Sequence, residues 1–217
     1  MILESIVTTV DQRGRVNIAP MGPSVDEGFQ TAMVDELVFE LRPFSSSQTY
    51  KNLVANRTAT IHVTDNVDLF SRAVTGGFEN GEDVRSMVDC LDDQFYVLRD
   101  CHRWFAVEID ESITVSNDRE KSGEAIRHRF VCHVKQTGIV RPFFGFNRAK
   151  HAVVEAAILA SRIGILPIEQ IRIELESLQP LVDKTGGKTE MDAFDRIKRL
   201  VDGVTPNRSL LQSNASS

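Results

Sequence analysis

Apolar and polar positions alternate in short runs through the first two thirds of the chain, and the period then changes. Residues 3–9 are β-branched and apolar, Asp11, Gln12, Arg13 and Gly14 carry turn chemistry, and residues 15–19 form a second β-like run. Together they predict a hairpin at the start of the chain. Residues 36–41 alternate as another strand, and residues 58–64 place Ala59, Ile61 and Val63 on one face of a further one. Between these two, Tyr50, Leu53 and Val54 recur at helical spacing and predict a short helix over 48–56. More strands are expected at 104–109, 113–116 and 130–137, with a charged turn or loop over 117–124. The acidic run Asp89, Asp92 and Asp93 reads as a solvated loop.

From residue 148 the apolar period is helical. Val153, Ala156, Ala157, Ala160 and Ile163 predict a helix over 148–163 that closes at Gly164, with Pro167 beyond. Ile168, Ile171, Leu175 and Leu178 predict a second helix over 167–178, stopped by Pro180. Met191, Phe194, Ile197 and Val201 predict a third over 190–201, after a loop at 183–188. No internal repeat or low-complexity segment interrupts the chain. Strands first and helices after give an α+β chain, mainly β, whose strands are expected to close into a small barrel with the helices on its side or end. The boundaries expected are a barrel at 1–145, a helical subdomain at 146–205 and a polar tail at 206–217.

Composition narrows the function classes. At 217 residues and 41 % hydrophobic content the chain can bury a sizeable core, and a 26 % charged fraction is that of an ordinary globular protein. Lys and Arg number 25 against 31 Asp and Glu, a formal charge of -6, the wrong sign for gripping nucleic acid or an anionic membrane with the whole surface. Any phosphate must then be held by a local cluster. The start lacks the basic and apolar segments of a signal peptide, and no apolar run reaches the roughly 18 residues of a membrane span, so a cytoplasmic protein is expected. Cys90, Cys101 and Cys132 are odd in number and widely spaced, which fits buried reduced thiols. No metal site is expected, because Cys101–His102 and Cys132–His133 are adjacent strand pairs pointing to opposite faces. His62, His128 and His151 lack spaced partners and read as hydrogen-bonded surface or core residues. Glycine-rich nucleotide loops, the nucleophile elbow and the zincin pair are all missing.

Three segments carry candidate chemistry. Asn17, Ala19, Pro20, Met21 and Gly22 end a strand abruptly: Pro20 and Pro23 stiffen the chain, and Gly22 lets a backbone or a flat ligand approach, although a rigid edge turn explains the same residues. Arg42, Ser45, Ser46, Ser47, Thr49 and Asn52 gather a guanidinium, hydroxyls and an amide at the start of the 48–56 helix, donors matched to an anion at a helix N-terminus. A plain N-cap needs only one of those hydroxyls. Phe143, Phe144 and Phe146 have the look of core packing before a helix that Asn147 can cap, and Arg148 can pair with a carboxylate or reach an anion.

Taken together, the opening run through Gly14, Arg15, Val16, Asn17, Ile18, Ala19, Pro20, Met21, Gly22 and Pro23, the Ser-rich turn, and Gly145, Phe146, Asn147, Arg148 and Ala149 resemble a family of uncharacterised FMN-binding split-barrel proteins. That family is related to the flavin reductases and pyridoxamine-phosphate oxidases. The resemblance implies an FMN-binding split β-barrel with a C-terminal helical region, a homodimer with FMN at the subunit interface, and a flavin-dependent oxidoreductase of flavin reductase-like type. Ser47, Thr49 and Asn52 match that group's Ser/Thr-x-Thr-x-x-Asn phosphate pattern, with Ser45, Ser46 and Arg42 adjacent, and residues 17–22 correspond to the strand end along the flavin ring. Neither the vitamin oxidases' substrate-phosphate cations nor a nicotinamide signature can be placed, so the redox substrate stays open. The rival class is a non-catalytic flavin-binding or assembly module that uses the C-terminal helices as a partner surface.

Overall fold

The computed structural model describes residues 1–78, 81–110, 117–118 and 127–205. Its elements run β1 (Ser5–Val10), β2 (Val16–Met21), β3 (Val38–Leu41), α1 (Gln48–Asn56), β4 (Thr58–Val63), α2 (Val67–Val74), α3 (Gly81–Met87), β5 (Val88–Asp92), β6 (Phe95–Leu98), β7 (Arg103–Ile109), β8 (Asn117–Asp118), β9 (Arg127–His128), β10 (Phe130–Ile139), α4 (Arg148–Ala160), α5 (Ile168–Thr185) and α6 (Lys188–Asp202). Short 3-10 turns at Glu27–Gln30 and Val34–Glu36 lead into β3. The chain divides into two compact units, one of Met1–Asp65 with Phe78–Phe144 and one of Asn66–Gly77 with the residues from Gly145 onward.

The first unit is built on a six-stranded antiparallel sheet in the order β2-β1-β4-β7-β10-β3. Past the end of β2, Ser24 bridges Ile2 on one side and Glu40 on the other, and its backbone exchanges bonds of 2.9 and 3.0 Å with Glu40. This bridge curls the two sheet edges toward each other as a split barrel. The interior is lined by Val7, Leu37, Phe39, Leu41, Ala59, Ile61, Phe105, Val107, Phe130 and Cys132, and Leu53 of α1 is buried with them. Phe39 and Phe105 meet at 5.0 Å between ring centroids, with Phe29 edge-on to Phe39. Period-2 alternation in β4 sends Ala59, Ile61 and Val63 to this core, as the sequence pattern predicts.

Two positions need glycine. Gly14 has φ +74° in the β1–β2 turn, where Asp11 and Arg15 close the hairpin. Gly138 of β10 lies opposite Trp104, and a Cβ there would meet the indole ring at 2.7 Å. Pro20 is tolerated inside β2 because β2 is the edge of the ladder.

The sheet's other face is covered by the β5–β6 hairpin. Thr8 Oγ1 donates to the Tyr96 carbonyl at 2.6 Å. His62, fully buried, donates from Nδ1 to the Ile6 carbonyl at 3.0 Å and accepts the Leu98 amide on Nε2 at 3.1 Å. These acceptor and donor partners fix one neutral tautomer, and burial lowers the ring's pKa to about 4 despite the backbone bonds that favour the charged form.

The second unit packs α2, α4, α5 and α6 together. Small residues Ala149, Ala152, Ala156 and Ala157 of α4 let its neighbours approach closely, and Ile171, Leu175, Phe194 and Ile197 fill the space. Asn66 caps α2 by accepting the Asp68 and Leu69 amides, and Arg196 of α6 bonds Asp68 and Ser71.

Several expectations are corrected. Residues 67–74 and 81–87 are helices inside the first two thirds, expected to be mainly β, and the acidic run at 89–93 belongs to a hairpin. There Asp89 pairs with Arg99 and Asp92 caps the turn by accepting the Gln94 and Phe95 amides. Pro180 does not stop its helix: α5 runs on to Thr185, because Val182 continues the stripe of Ile171 and Leu175 into the core. Cys90 is exposed, whereas Cys101 and Cys132 are buried, with burial pushing both thiols up to about 12; Asp100 adds to the rise at Cys101 and Arg141 opposes it. The expected strand at 113–116 lies outside the described residues, and of the loop expected at 117–124 only Asn117–Asp118 falls within them, as β8.

Candidate functional site

The β1–β2 hairpin, the start of α1 and the α3 segment surround a groove of about 630 Å³ in the first unit. Asp11, Arg15, Val16, Asn17 and Ile18 line it from the hairpin, Gln48 and Asn52 from α1, and Phe78, Val84 and Arg85 from the α3 side. Its size is ordinary for a small-molecule site, and its mixture of apolar walls with converging amides and guanidiniums is the usual chemistry of one.

A polar cluster forms the floor. Asn17 Nδ2 donates to Thr49 Oγ1 at 3.1 Å, Asn52 Nδ2 donates to Thr9 Oγ1 at 3.0 Å, and Gln48 Nε2 donates to Asn52 Oδ1 at 2.7 Å. Thr9, Thr49 and Asn52 are buried. Asn17 stands opposite Thr9 in the β1–β2 ladder, so strand register delivers it to the first turn of α1. This joins three of the residues singled out by the sequence, Asn17, Thr49 and Asn52.

Ser47 has a fixed task. Its hydroxyl accepts the Tyr50 amide at 3.1 Å as N-cap of α1 and donates to the Phe44 carbonyl at 2.7 Å, so the turn before the helix is locked. The amides of Gln48 and Thr49 then have no intrahelical acceptor, as at any helix start, and carry the positive end of the helix dipole. Ser45 and Ser46 form the turn that precedes the cap.

Arg42 is placed elsewhere: its Nε bonds Glu40 at 2.6 Å, and Arg129 bonds the other oxygen of the same carboxylate. Burial raises the Glu40 pKa, but the two guanidiniums outweigh it and hold the carboxyl below its ordinary value. Ala19, Pro20, Met21 and Gly22 continue β2 past the groove lining, and Met21 packs against the barrel core. The space a Cβ would take at Gly22 is held by Ile2, 2.7 Å away. Asn147 and Arg148 belong to the second unit. Asn147 caps α4 by accepting the Lys150 amide at 3.1 Å and donates to the Thr185 carbonyl at 3.1 Å, and Arg148 is exposed at the first position of that helix.

Sequence reading missed Asp11, Arg15, Gln48, Phe78 and Arg85 as groove residues. Arg15 has a signal: the Asp-x-x-Gly-Arg turn returns it to Asp11, whose carboxylate bonds it at 2.7 Å. The Arg15 backbone amide, with the Arg15 side chain and the Arg13 amide, holds the Asp11 carboxyl below its ordinary value against the opposing effect of desolvation. Arg85 carries no signal, since it reaches the groove from a helix the periodicity does not reveal, and Phe78 lies in the turn before it.

Phe143 and Phe144, read as core, are exposed, Phe144 at 95 %. The backbone leading to them is anchored: Arg141 bonds Asp65 and, at 2.7 Å, Asp100, and His102 meets the Pro142 carbonyl at 3.0 Å and the Phe143 ring edge-on. Ile139 and Val140 are exposed in the same stretch. Phe146, at the start of the second unit, is exposed as well.

The model of the N-terminal domain of a protein family of unknown function, DUF447, matches residues 3–141, and the model of the DUF447 C-terminal part matches residues 147–199. The chain belongs to the DUF447 family. Among solved structures, this DUF447 protein is similar to an FMN-bound DUF447 protein of Methanosarcina mazei, at 22% identity and a TM-score of 0.70, over 92% of this chain and 94% of that one. It also matches nitrilotriacetate monooxygenase component B of Bacillus cereus, at 10% identity and a TM-score of 0.49, over 64% of this chain and 70% of that one. A putative flavin reductase of Haemophilus somnus matches at 15% identity and a TM-score of 0.44, over 64% and 80%. No curated protein matches the chain. The shared architecture with the M. mazei protein is the split barrel expected from the resemblance. Among the described residues no helix is long and apolar enough to cross a membrane, and no three His, Cys, Asp or Glu side chains group as metal ligands.

Proposed function

We infer that this DUF447 protein binds FMN along the edge of β2 and is a flavin-dependent oxidoreductase of flavin reductase-like type, acting in the cytoplasm on a small redox substrate. The observation that carries the reading is the groove at that edge, lined by Asn17, Gln48 and Asn52, with Asn17 bonded to Thr49 in the first turn of the Ser47-capped helix behind it. The family relative of M. mazei with the same fold is FMN-bound.

In this reading Ser45, Ser46 and Thr49 hold the phosphate together with the open amides of α1, and Ser47 contributes by shaping the turn. Asn17 donates to Thr49 and keeps it aligned so that its hydroxyl hydrogen is available to an anion, while Asn52 is tied to Thr9 beside it. The backbone of residues 17–22 lies beside the ring, with edge-strand groups that the ladder leaves unpaired serving as donors and acceptors. Bound FMN supplies the hydride and electron transfer itself, so the chain's task is binding, orientation and exclusion of water.

A homodimer completes the reading. The exposed run of Ile139, Val140, Phe143 and Phe144 is an apolar surface of the kind that a second copy covers, and the flavin lies at that subunit interface.

The test is an absorbance spectrum of the freshly purified protein before and after anaerobic NADH or NADPH. A flavin band near ~450 nm that bleaches with either nucleotide is the expected result. A band that survives both donors removes the reductase reading and keeps the cofactor. A colourless protein that takes up no added FMN removes both, and leaves a module that works through its surfaces.

A further inference from the structure

The end of the barrel where β7 begins and β10 stops holds a cation with no counter-ion. Arg103 stands opposite Val63 on one side and Ile139 on the other, and its guanidinium carbon lies 4.7 Å from the centroid of the Phe105 ring. Its Nε donates to Thr137 Oγ1 at 3.3 Å, and among the described residues no carboxylate pairs with it. The ring and the hydroxyl fix the guanidinium in place without neutralising it.

Anions stand at the same end. Residues 26–36 include Asp26, Glu27, Asp35 and Glu36 and neither Lys nor Arg, and all four carboxylates are on exposed residues. Phe29 anchors this stretch by meeting the Phe105 ring at 5.7 Å, and the turn at Val34–Glu36 packs on β10. Glu36 accepts the Met33 amide, whereas Glu27 and Asp35 have no ion-pair partner among the described residues. The surface also leaves aliphatic side chains uncovered, Ile139 at 75 % and Met33 at 68 %.

We propose that Arg103 and the carboxylates of Glu27 and Asp35 form reciprocal ion pairs between two copies of this chain and so fix which faces meet in the homodimer. The face is complementary to itself: a two-fold axis lays the acidic stretch of each copy on Arg103 of the other, and both halves are satisfied at once. A foreign partner needs only one of the two charges. Ion pairs flanked by apolar contacts set orientation, and like charges brought together there are strongly unfavourable. The assignment rests on the homodimer reading above and adds to it the charges that select the second copy.

The experiment is sedimentation velocity on the wild type, R103E, E27K/D35K, an equimolar mixture of these two variants, and F144D, all at matched total concentration. Each charge-reversed protein alone is expected to dissociate at least about a hundredfold more readily than wild type, because like charges then meet twice. The mixture is expected to recover the dimer, because each copy again meets the opposite charge. Either variant dimerising alone as wild type does overturns the proposal, and so does a mixture that stays monomeric. R103Q covers the case in which R103E does not fold: its dimer is expected to be about tenfold weaker, and an undiminished dimer overturns the proposal too. F144D separates the two readings. A monomeric F144D beside a dimeric R103E keeps the homodimer and removes the ion pairs; a wild type that is monomeric at every concentration removes both.

Discussion

At the scale of single residues, the side chain with the clearest energetic consequence is His62. Its folded pKa, about 4, lies below the ordinary imidazole value of 6.5 because burial penalises the cation, and protonation of Nε2 would also cost the Leu98 amide its acceptor. The unfolded chain therefore binds a proton between these values that the folded chain refuses. Stability contributed by neutral His62 is complete above pH 6.5 and is lost as pH falls toward 4, by up to roughly 3 kcal/mol. H62Q is expected to be less stable than wild type at pH 7, with the gap narrowing as pH approaches 4; urea unfolding at a series of pH values checks it, and a constant gap would remove His62 from the acid response. The candidate site divides at this scale too. Thr49 and Asn52 are legible from their place at a helix start and Asn17 from the strand that runs into Pro20, whereas the second guanidinium on Glu40, from Arg129 far along the chain, is not brought near by spacing.

At the scale of elements, legibility followed burial. The helices α4 to α6 bury one face each, so their apolar period is readable, and β4, although buried along nearly its whole length, still alternates Ala59, Ile61 and Val63 with polar residues. The elements missed, α2 and α3, are eight and seven residues long, too short for a period to repeat more than about twice. The β5 strand exposes Asp89, Cys90, Leu91 and Asp92, which leaves it without an apolar alternation to read. Pro180 misled for a different reason: it removes one backbone bond and strains one turn, but the continued stripe through Val182 outweighs that local cost. The cost is still present in the folded protein. P180A is expected to raise stability by about 1–3 kcal/mol, with no change in flavin binding, since Pro180 is exposed and lies in the second unit. Thermal unfolding checks it; an unchanged or lower midpoint would mean that Pro180 carries no net cost within α5.

At the scale of the whole molecule, the unusual feature is that aromatic side chains which elsewhere form cores are displayed. Phe144 is 95 % exposed and Phe143 55 %, and the Arg141, Asp65 and His102 contacts hold the backbone leading to them in place. An exposed apolar run of this kind is the surface that the proposed homodimer would cover. With a two-fold axis the same residue is used twice, so one substitution removes two contacts. F144D is expected to convert a dimer to a monomer, with the dimer dissociation constant rising at least about a hundredfold, because burying a Phe is worth ~1.5–3 kcal/mol on each side. Sedimentation velocity at matched concentrations reads this directly. The monomer's own thermal stability is expected to be unchanged, since Phe144 leaves almost no area buried within its own chain. The flavin gives the decisive second reading: if it lies at the interface between copies, F144D loses FMN together with the dimer. An F144D monomer that keeps wild-type FMN affinity would place the whole cofactor site within one chain, at the β2 edge and its arginines, and leave the aromatic run to a different partner.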